Sequence, residues 1–114
     1  MAISFEAIGE KMVTFAAGSG LAAGKVCKVT ANGTVGACNE DDGFCGVVSR
    51  VRGGLASVIM AGYVELSYSG ETAPSLGYAV LAADKNGDVV PAAAGRTCLV
   101  VHVDAAQKRV GLFL

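Results

Sequence analysis

The chain has 114 residues and a formal net charge of −1, with 53% hydrophobic and 17% charged residues. A chain of this length is expected to form a single domain, residues 1–114, with a core that needs no disulfide or metal. The low charge, without any cluster of Lys and Arg, argues against nucleic acid or a membrane surface as a partner. No apolar run reaches the ~18 residues of a membrane helix. The high apolar fraction predicts that part of the surface is covered in an oligomer or by a larger partner.

The first ten residues are predicted to form an extended arm, because they show little periodicity and contain Gly9. The arm has an acidic residue where a secretory signal would be basic, so the protein is expected to stay in the cytoplasm or leave it by lysis. After the first predicted strand, a loop of small residues at 16–24 contains Gly18-x-Gly20. A hairpin follows this loop, whereas a phosphate-binding loop needs a following helix, so an ordinary turn is favoured.

A β-hairpin that occurs twice organises the rest of the sequence. The first copy, residues 24–38, turns at Asn32-Gly33, and the second copy, residues 77–93, turns at Asn86-Gly87; Asn-Gly is the strongest short hairpin signal. A Cys-x-Val-Val strand follows each copy, at residues 45–48 and 98–101. This spacing predicts a first pseudo-repeat at 11–68, a link at 69–76 and a second pseudo-repeat at 77–114.

Alternation and turn signals predict ten short strands and no long amphipathic helix. In chain order the predicted strands are Lys11–Ala16, Val26–Thr30, Thr34–Ala37, Phe44–Val51, Leu55–Met60, Gly62–Tyr68, Tyr78–Ala83, Asp88–Val90, Cys98–Asp104 and Arg109–Leu114. Residues 44–51 are apolar at most positions, as in a strand covered on both faces. Residues 63–68 alternate, with Val64, Leu66 and Tyr68 on one face. The expected fold is all-β, a small β-barrel or sandwich (β-tulip-like) built from the duplicated hairpin-plus-strand unit, with the N-terminal arm extended.

The four cysteines are expected to be reduced and buried. A two-residue loop at Asn32-Gly33 places Cys27 opposite Cys38 as a hydrogen-bonded pair, with Cα atoms ~5.5 Å apart. That distance allows a disulfide, provided that the turn has two residues. The side chains of such pairs are less closely apposed, and the chain has no export signal, so free thiols are favoured over a Cys27–Cys38 bond.

Residue chemistry points to no enzyme, cofactor or metal. Cys98, His102 and Asp104 fall on one face of a predicted strand, but Cys98 and His102 lie ~13 Å apart along it, and a nucleophile and its base need ~3 Å. A cysteine of another strand, such as Cys45, remains a possible neighbour of His102. The cysteines lack the close spacing of zinc sites. The acidic stretches 40–42 and 84–88 lack the ligand spacing of a calcium loop, and turns explain them better. The sequence therefore predicts no catalytic, cofactor-binding or metal-binding residue.

The order of these features resembles a family of small tailed-phage head proteins, the capsid cement or decoration proteins, over residues 11–114. The resemblance is carried by short segments in a fixed order: Gly24-x-Val26, Asn32-Gly33, Phe44-x-Gly46-Val47-Val48, Ala56-x-Val58, Ala61-Gly62-Tyr63-Val64, Leu76-Gly77-Tyr78, Asn86-Gly87, Val100-x-x-Val103 and Gly111-Leu112-Phe113-Leu114. Each segment alone is generic hairpin sequence, so the signal is in the order and spacing. Residues 1–10 have no counterpart in the resemblance.

The resemblance implies a virion protein on the outer surface of a phage or prophage head. Its partner is then the major capsid protein, whose neighbouring subunits it clamps, and it acts as a dimer or trimer. Such a protein is made in the host cytoplasm and has no catalytic motif. The N-terminal arm could add a strand to a capsid edge. The alternative from the residues is a non-catalytic β-rich binding or adhesion module for a carbohydrate or protein ligand, with Tyr63, Tyr68 and Tyr78 as the candidate aromatic contacts.

Overall fold

The computed structural model describes residues 10–114, so the predicted arm lies almost entirely outside the described residues. The described chain is all-β, as predicted, and contains no helix, hence none long enough to cross a membrane. Its ten strands are β1 (Lys11–Ala17), β2 (Val26–Ala31), β3 (Thr34–Ala37), β4 (Gly46–Arg52), β5 (Leu55–Ala61), β6 (Tyr63–Ser67), β7 (Gly77–Ala83), β8 (Val89–Pro91), β9 (Arg96–Asp104) and β10 (Arg109–Phe113). All ten predicted strands are present, with ends shifted by at most two residues.

The first five strands close into a barrel, called here the first barrel, in the order β1-β3-β2-β4-β5. The strands β2 and β3 form the predicted hairpin across Asn32-Gly33, with Gly33 at a φ of 63°. Closure comes from β1, which pairs antiparallel with β5 and parallel with β3. Because every strand has two neighbours, this half of the molecule has no free sheet edge.

The last five strands form the second sheet, in the order β6-β10-β9-β7-β8. The strands β6 to β10 pair with one another in the same order as β1 to β5, so that β6 corresponds to β1 and β10 corresponds to β5. The parallel closure is reduced to one bridge between Tyr68 and Val89, where the first barrel has two parallel residue pairs. The duplicated unit is therefore five strands long, a full copy of the first barrel's strand order.

The boundary between the two copies differs from the predicted one. The strand β6 was expected in the first pseudo-repeat, but it pairs with β10 from Tyr63 to Ser67. Strand pairing therefore assigns residues 63–68 to the second unit and leaves residues 69–76 as a connection inside that unit. A long-range pairing of this kind depends on the whole sheet, so local sequence signals do not reveal it.

Two clusters of buried hydrophobic side chains fill the part of the chain that the structure describes. The smaller cluster lies in the first barrel and consists of buried side chains on β2–β5: Cys27, Val35, Val48, Ala56 and Val58. The larger cluster is centred on the second sheet and also takes in Val26, Cys38, Phe44 and Val47 from the first half. Val47 and Val48 are adjacent yet belong to different clusters, because successive side chains of a strand point to opposite faces. The prediction that residues 44–51 are covered on both faces is confirmed only as far as Val48, because residues 49–51 are exposed.

Polar contacts also join the two halves. The ammonium of Lys25 donates to Asp88 at 2.7 Å, and the Val26 N–H donates to the carbonyl of Gly87 at 3.0 Å. The guanidinium of Arg96, on β9, donates to the carbonyl of Cys45 at 2.8 Å and to that of Met60 at 3.1 Å. The first barrel and the second sheet thus hold each other in a fixed orientation.

Candidate interaction surface

Four large side chains form one continuous row across the outer face of the second sheet. In the register, Tyr63 on β6 is opposite Phe113 on β10, Phe113 is opposite Leu99 on β9, and Leu99 is opposite Tyr78 on β7. We call these four residues the apolar row. Their chain neighbours Val64, Leu112 and Val100 point inward and are buried, so the apolar row points outward. With strands ~4.8 Å apart, its backbone positions span roughly 14 Å.

The two ends of the apolar row differ in exposure. At one end Tyr78 is 78% exposed, and Leu76, two residues earlier, is 69% exposed. At the other end the rings of Tyr63 and Phe113 meet edge to face, with centroids 5.5 Å apart and planes at 62°. Burial, with Glu65 nearby, raises the pKa of the Tyr63 phenol. The row is thus anchored at Tyr63 and freely accessible at Tyr78.

A glycine makes room for the anchored end. Tyr63 lies over Gly111, and a Cβ atom at Gly111 would overlap the Tyr63 hydroxyl oxygen. A second row of residues lies beside the apolar row on the same outward face. In this row Gly111 on β10 is opposite Glu65 on β6 and His102 on β9. Arg109 follows, and its guanidinium donates to the Ser67 hydroxyl at 3.2 Å. An apolar strip bordered on one side by polar and charged side chains is the composition of many protein interfaces.

The predicted strand face carrying Cys98, His102 and Asp104 does not exist. The pairing of β9 with β10 skips Val101, because Gly111 is opposite His102 while Leu112 is opposite Val100. This β-bulge reverses the alternation. Cys98 is consequently buried in the core, whereas His102 is exposed on the outer face. The three residues cannot act together, and burial raises the pKa of the Cys98 thiol.

The predicted pairing of Cys27 with Cys38 is also wrong. A second bulge leaves Thr30 without a partner, so Cys27 is opposite Ala37. All four cysteines are free thiols. The Cys27 sulfur lies 4.0 Å from the sulfur of Cys45. Burial raises the pKa of Cys38 to about 11, whereas a hydrogen bond from Cys27, together with the charge of Arg96, lowers the pKa of Cys45 to about 7.

The acidic loops behave as turns. The carboxylate of Asp42 accepts hydrogen bonds from Lys28 and from the N–H of Asn39, and these bonds lower its pKa. Burial by itself would raise the pKa of Asp84, but hydrogen bonds from Ser69 and from the backbone of the following turn lower it overall. Within residues 10–114, no three His, Cys, Asp or Glu side chains are grouped so as to hold a metal ion.

Comparisons with known proteins add no assignment. No protein-family model matches the chain, and no curated protein matches it. The surface therefore has to be interpreted from its own geometry. Sequence reasoning identified Tyr63 and Tyr78 as candidate contacts but missed Leu99 and Phe113. Alternation along the strand already predicts that Phe113 and Leu112 point to opposite faces of the sheet. The strand order is needed as well to show that the four residues lie in one row. The third candidate, Tyr68, is buried in the core.

Proposed function

We propose that this protein is a structural virion protein, a capsid cement or decoration protein that binds the outer surface of a phage or prophage head and stabilises the shell. Its partner is the major capsid protein, and it acts without catalysis, cofactor, nucleic acid or membrane. It is made in the host cytoplasm and resides on the capsid surface. The resemblance of residues 11–114 to the decoration-protein family suggests this role, and the apolar row supplies a surface for it.

The apolar row is the single observation that carries the proposal. Tyrosine and phenylalanine are enriched where proteins contact one another, because each buries a large area with few rotatable bonds. Tyr78 and Leu76 are far more exposed than large apolar side chains usually are in a folded monomer. A capsid subunit that covers them removes this surface from water, which is favourable by about 25 cal/mol per Å² of apolar area.

The sheet that carries the apolar row is rigid, as a protein that holds neighbouring capsid subunits together requires. The four residues of the row lie on four different strands of one hydrogen-bonded sheet, and surfaces built on strands keep their geometry better than surfaces built on loops. The second sheet is itself fixed to the first barrel through Arg96 and Lys25. A rigid surface loses little conformational entropy on binding, so the contacts resist pulling apart of the subunits beneath.

Self-association as a dimer or trimer is part of the proposal. Exposed large hydrophobic side chains also occur on the first barrel, away from the apolar row: Met12, Val13, Val29, Val51 and Leu55. They provide apolar area for contact between copies while the apolar row faces the shell. Light scattering on the purified full chain measures the oligomeric state, and a strictly monomeric protein at all concentrations would remove this part of the proposal.

Co-sedimentation with expanded capsid shells of the phage or prophage that encodes the protein tests the main proposal. The wild-type protein is expected to pellet with the shells at saturating stoichiometry. Tyr78→Ser and Leu76→Ser are each expected to weaken binding at least about tenfold, as hot-spot residues do. Glu40→Ser is the control, because Glu40 is exposed in the loop between β3 and β4 and belongs neither to the apolar row nor to the side chains proposed for contact between copies. Failure of the wild-type protein to bind any shell overturns the proposal.

A carbohydrate-binding module is the second candidate, favoured by the two tyrosines on one outward row. Aromatic faces can stack on sugar rings, and Tyr63 and Tyr78 stand at opposite ends of the row. A glycan array with the purified protein decides between the two. Binding to a glycan that is lost in Tyr63→Ala or Tyr78→Ala, together with no binding to shells, would replace the virion role by this one.

A further inference from the structure

Two thiols of the first barrel lie in contact although they are not strand partners. The sulfur atoms of Cys27 and Cys45 are 4.0 Å apart. The strand partner of Cys27 is Gly46, and the Cys45 N–H donates to the Cys27 carbonyl at 2.8 Å. From strand spacing and rise, the diagonal between the two Cα atoms is about 6 Å, inside the range of about 4.4–6.8 Å found in disulfides.

The backbone around the two thiols is closely packed. Gly46 packs so closely on β5 that a Cβ atom there would lie 2.5 Å from the Ile59 carbonyl oxygen and 2.8 Å from a methyl group of Val58. The Cys27 thiol also lies 3.7 Å from the Gly46 carbonyl oxygen. Cys45 stands immediately before β4 and is therefore free of the side-chain alternation of that strand. The contact between the sulfurs follows from the close packing of β2, β4 and β5.

The two thiols differ in their exposure to solvent. Cys27 is 0% exposed, whereas Cys45 is partly exposed. Arg96 holds its guanidinium against the Cys45 carbonyl, and its Nε is buried without a hydrogen-bond partner among the described residues. The charge of Arg96 and the hydrogen bond from Cys27 stabilise the Cys45 thiolate. Thiolates are the reactive form of cysteine, so an oxidant from solvent reacts first at Cys45.

We propose that Cys27 and Cys45 form a disulfide when the protein meets a peroxide, with Cys45 as the thiol that is attacked first and Cys27 as the thiol that resolves it. The Cys45 thiolate attacks one peroxide oxygen, the O–O bond breaks, and the departing hydroxide takes a proton to become water. The Cys27 sulfur then attacks the Cys45 sulfenic acid, forming the S–S bond while the S–O bond breaks. The hydroxyl leaves with the Cys27 proton as a second water. Two thiols are oxidised and one peroxide is reduced.

The bond would join β2 to the start of β4 inside the first barrel. Formation of the bond needs no movement of the second sheet and no contact with a partner. The disulfide proposal can therefore be correct or wrong independently of the proposed virion role. A protein made under reducing conditions and later released into an oxidising medium would gain this crosslink after folding. Cys38 and Cys98, which are buried and have raised pKa values, would remain thiols.

Peroxide treatment of the purified full chain, followed by thiol titration in denaturant, tests the proposal. The titration is expected to fall from four thiols, the number of free cysteines, to two, and dithiothreitol is expected to restore all four. Intact mass should decrease by two hydrogen atoms, and peptide mapping should identify the Cys27–Cys45 link. Cys38→Ser is the matched control and should oxidise like the wild-type protein, whereas Cys45→Ser should keep every remaining thiol.

The wild-type measurement stands even if a variant fails to fold, because mapping identifies the bonded pair directly. A titration that stays at four thiols would overturn the proposal. So would a bond from either residue to Cys38, a bond between two molecules, or a mass gain of oxygen in place of the hydrogen loss. Loss of two thiols in a folded Cys45→Ser variant would overturn it as well.

Discussion

The same substitution, glycine to alanine, should have very different effects at Gly46 and Gly111. Both glycines are buried in strands, and neither has a positive φ. Alanine therefore fits the backbone at both positions and should stabilise by about 0.4–1 kcal/mol through the unfolded state. The two sites differ in what the new methyl group meets. At Gly46 it meets the backbone of Ile59 at 2.5 Å, and at Gly111 it meets the tip of the Tyr63 side chain.

The magnitudes follow from what can move. A backbone carbonyl held in a sheet cannot rotate away, so Gly46→Ala should cost about 3 kcal/mol, the upper end of overpacking costs. The net loss of unfolding free energy should be about 2 kcal/mol or more. The Tyr63 side chain can rotate off the sheet, which forfeits its edge contact with Phe113, about 0.5–1.5 kcal/mol, and its hydrogen bond with the exposed Glu65, about 0.5 kcal/mol. Gly111→Ala should therefore lower the unfolding free energy by about 1 kcal/mol, well below the loss at Gly46.

Urea denaturation followed by circular dichroism measures both values, with the slope m as a check that the denatured state is unchanged. The near-ultraviolet tyrosine signal should change in Gly111→Ala, because Tyr63 moves. An equal loss of stability in the two variants, or a larger loss in Gly111→Ala, would refute the reasoning about fixed and movable neighbours.

Three further predictions concern charge. Because the thiolate is the reactive form and the pKa of Cys45 is about 7, iodoacetamide should label Cys45 first, at a rate that rises as the pH passes through about 7. Mapping that finds Cys38 labelled first would contradict this prediction. Lys25 and Asp88 are partly exposed, so a double-mutant cycle should give a coupling of only about 0.5 kcal/mol that decreases with added salt; a coupling several times larger would show a buried pair. The pKa of Asp84 is lowered by folding, so its contribution to stability is present above pH 3.8 and is lost as the pH falls through the folded pKa. Acid unfolding curves of Asp84→Asn should therefore depend less steeply on pH below about 4, and an unchanged curve would contradict this.

The elements of this fold could be predicted from the sequence, whereas their relative register could not. Alternation and Asn-Gly turns are local signals, and they located all ten strands. The residue opposite Cys27, by contrast, depends on the bulge at Thr30, and the face that carries His102 depends on the bulge at Val101. A bulge is one extra residue accommodated by packing on neighbouring strands, and its own sequence gives no sign of it.

The candidate surface shows the same limit. Tyr63 and Tyr78 could be placed on strand faces from alternation alone, but their membership of one row depends on β6 pairing with β10. That pairing joins strands separated by most of the second half of the chain. The contact of Cys27 with Cys45 depends likewise on close packing at Gly46. Chemistry that arises between strands becomes visible only when strand order is known.

The two copies of the five-strand unit differ at one seam, and the difference has a consequence for local opening. Two parallel residue pairs join β1 to β3, whereas a single bridge joins Tyr68 to Val89. Separating the seam of the second copy therefore breaks fewer hydrogen bonds, and β8, the strand at this seam, has only three residues. Amide protons of β8 should therefore exchange with solvent faster than those of β3, because exchange in β8 needs only a small local opening and exchange in β3 needs a larger one. The two copies of the unit are therefore expected to differ in local stability: the second copy should open locally at β8 more readily than the first copy opens at β3.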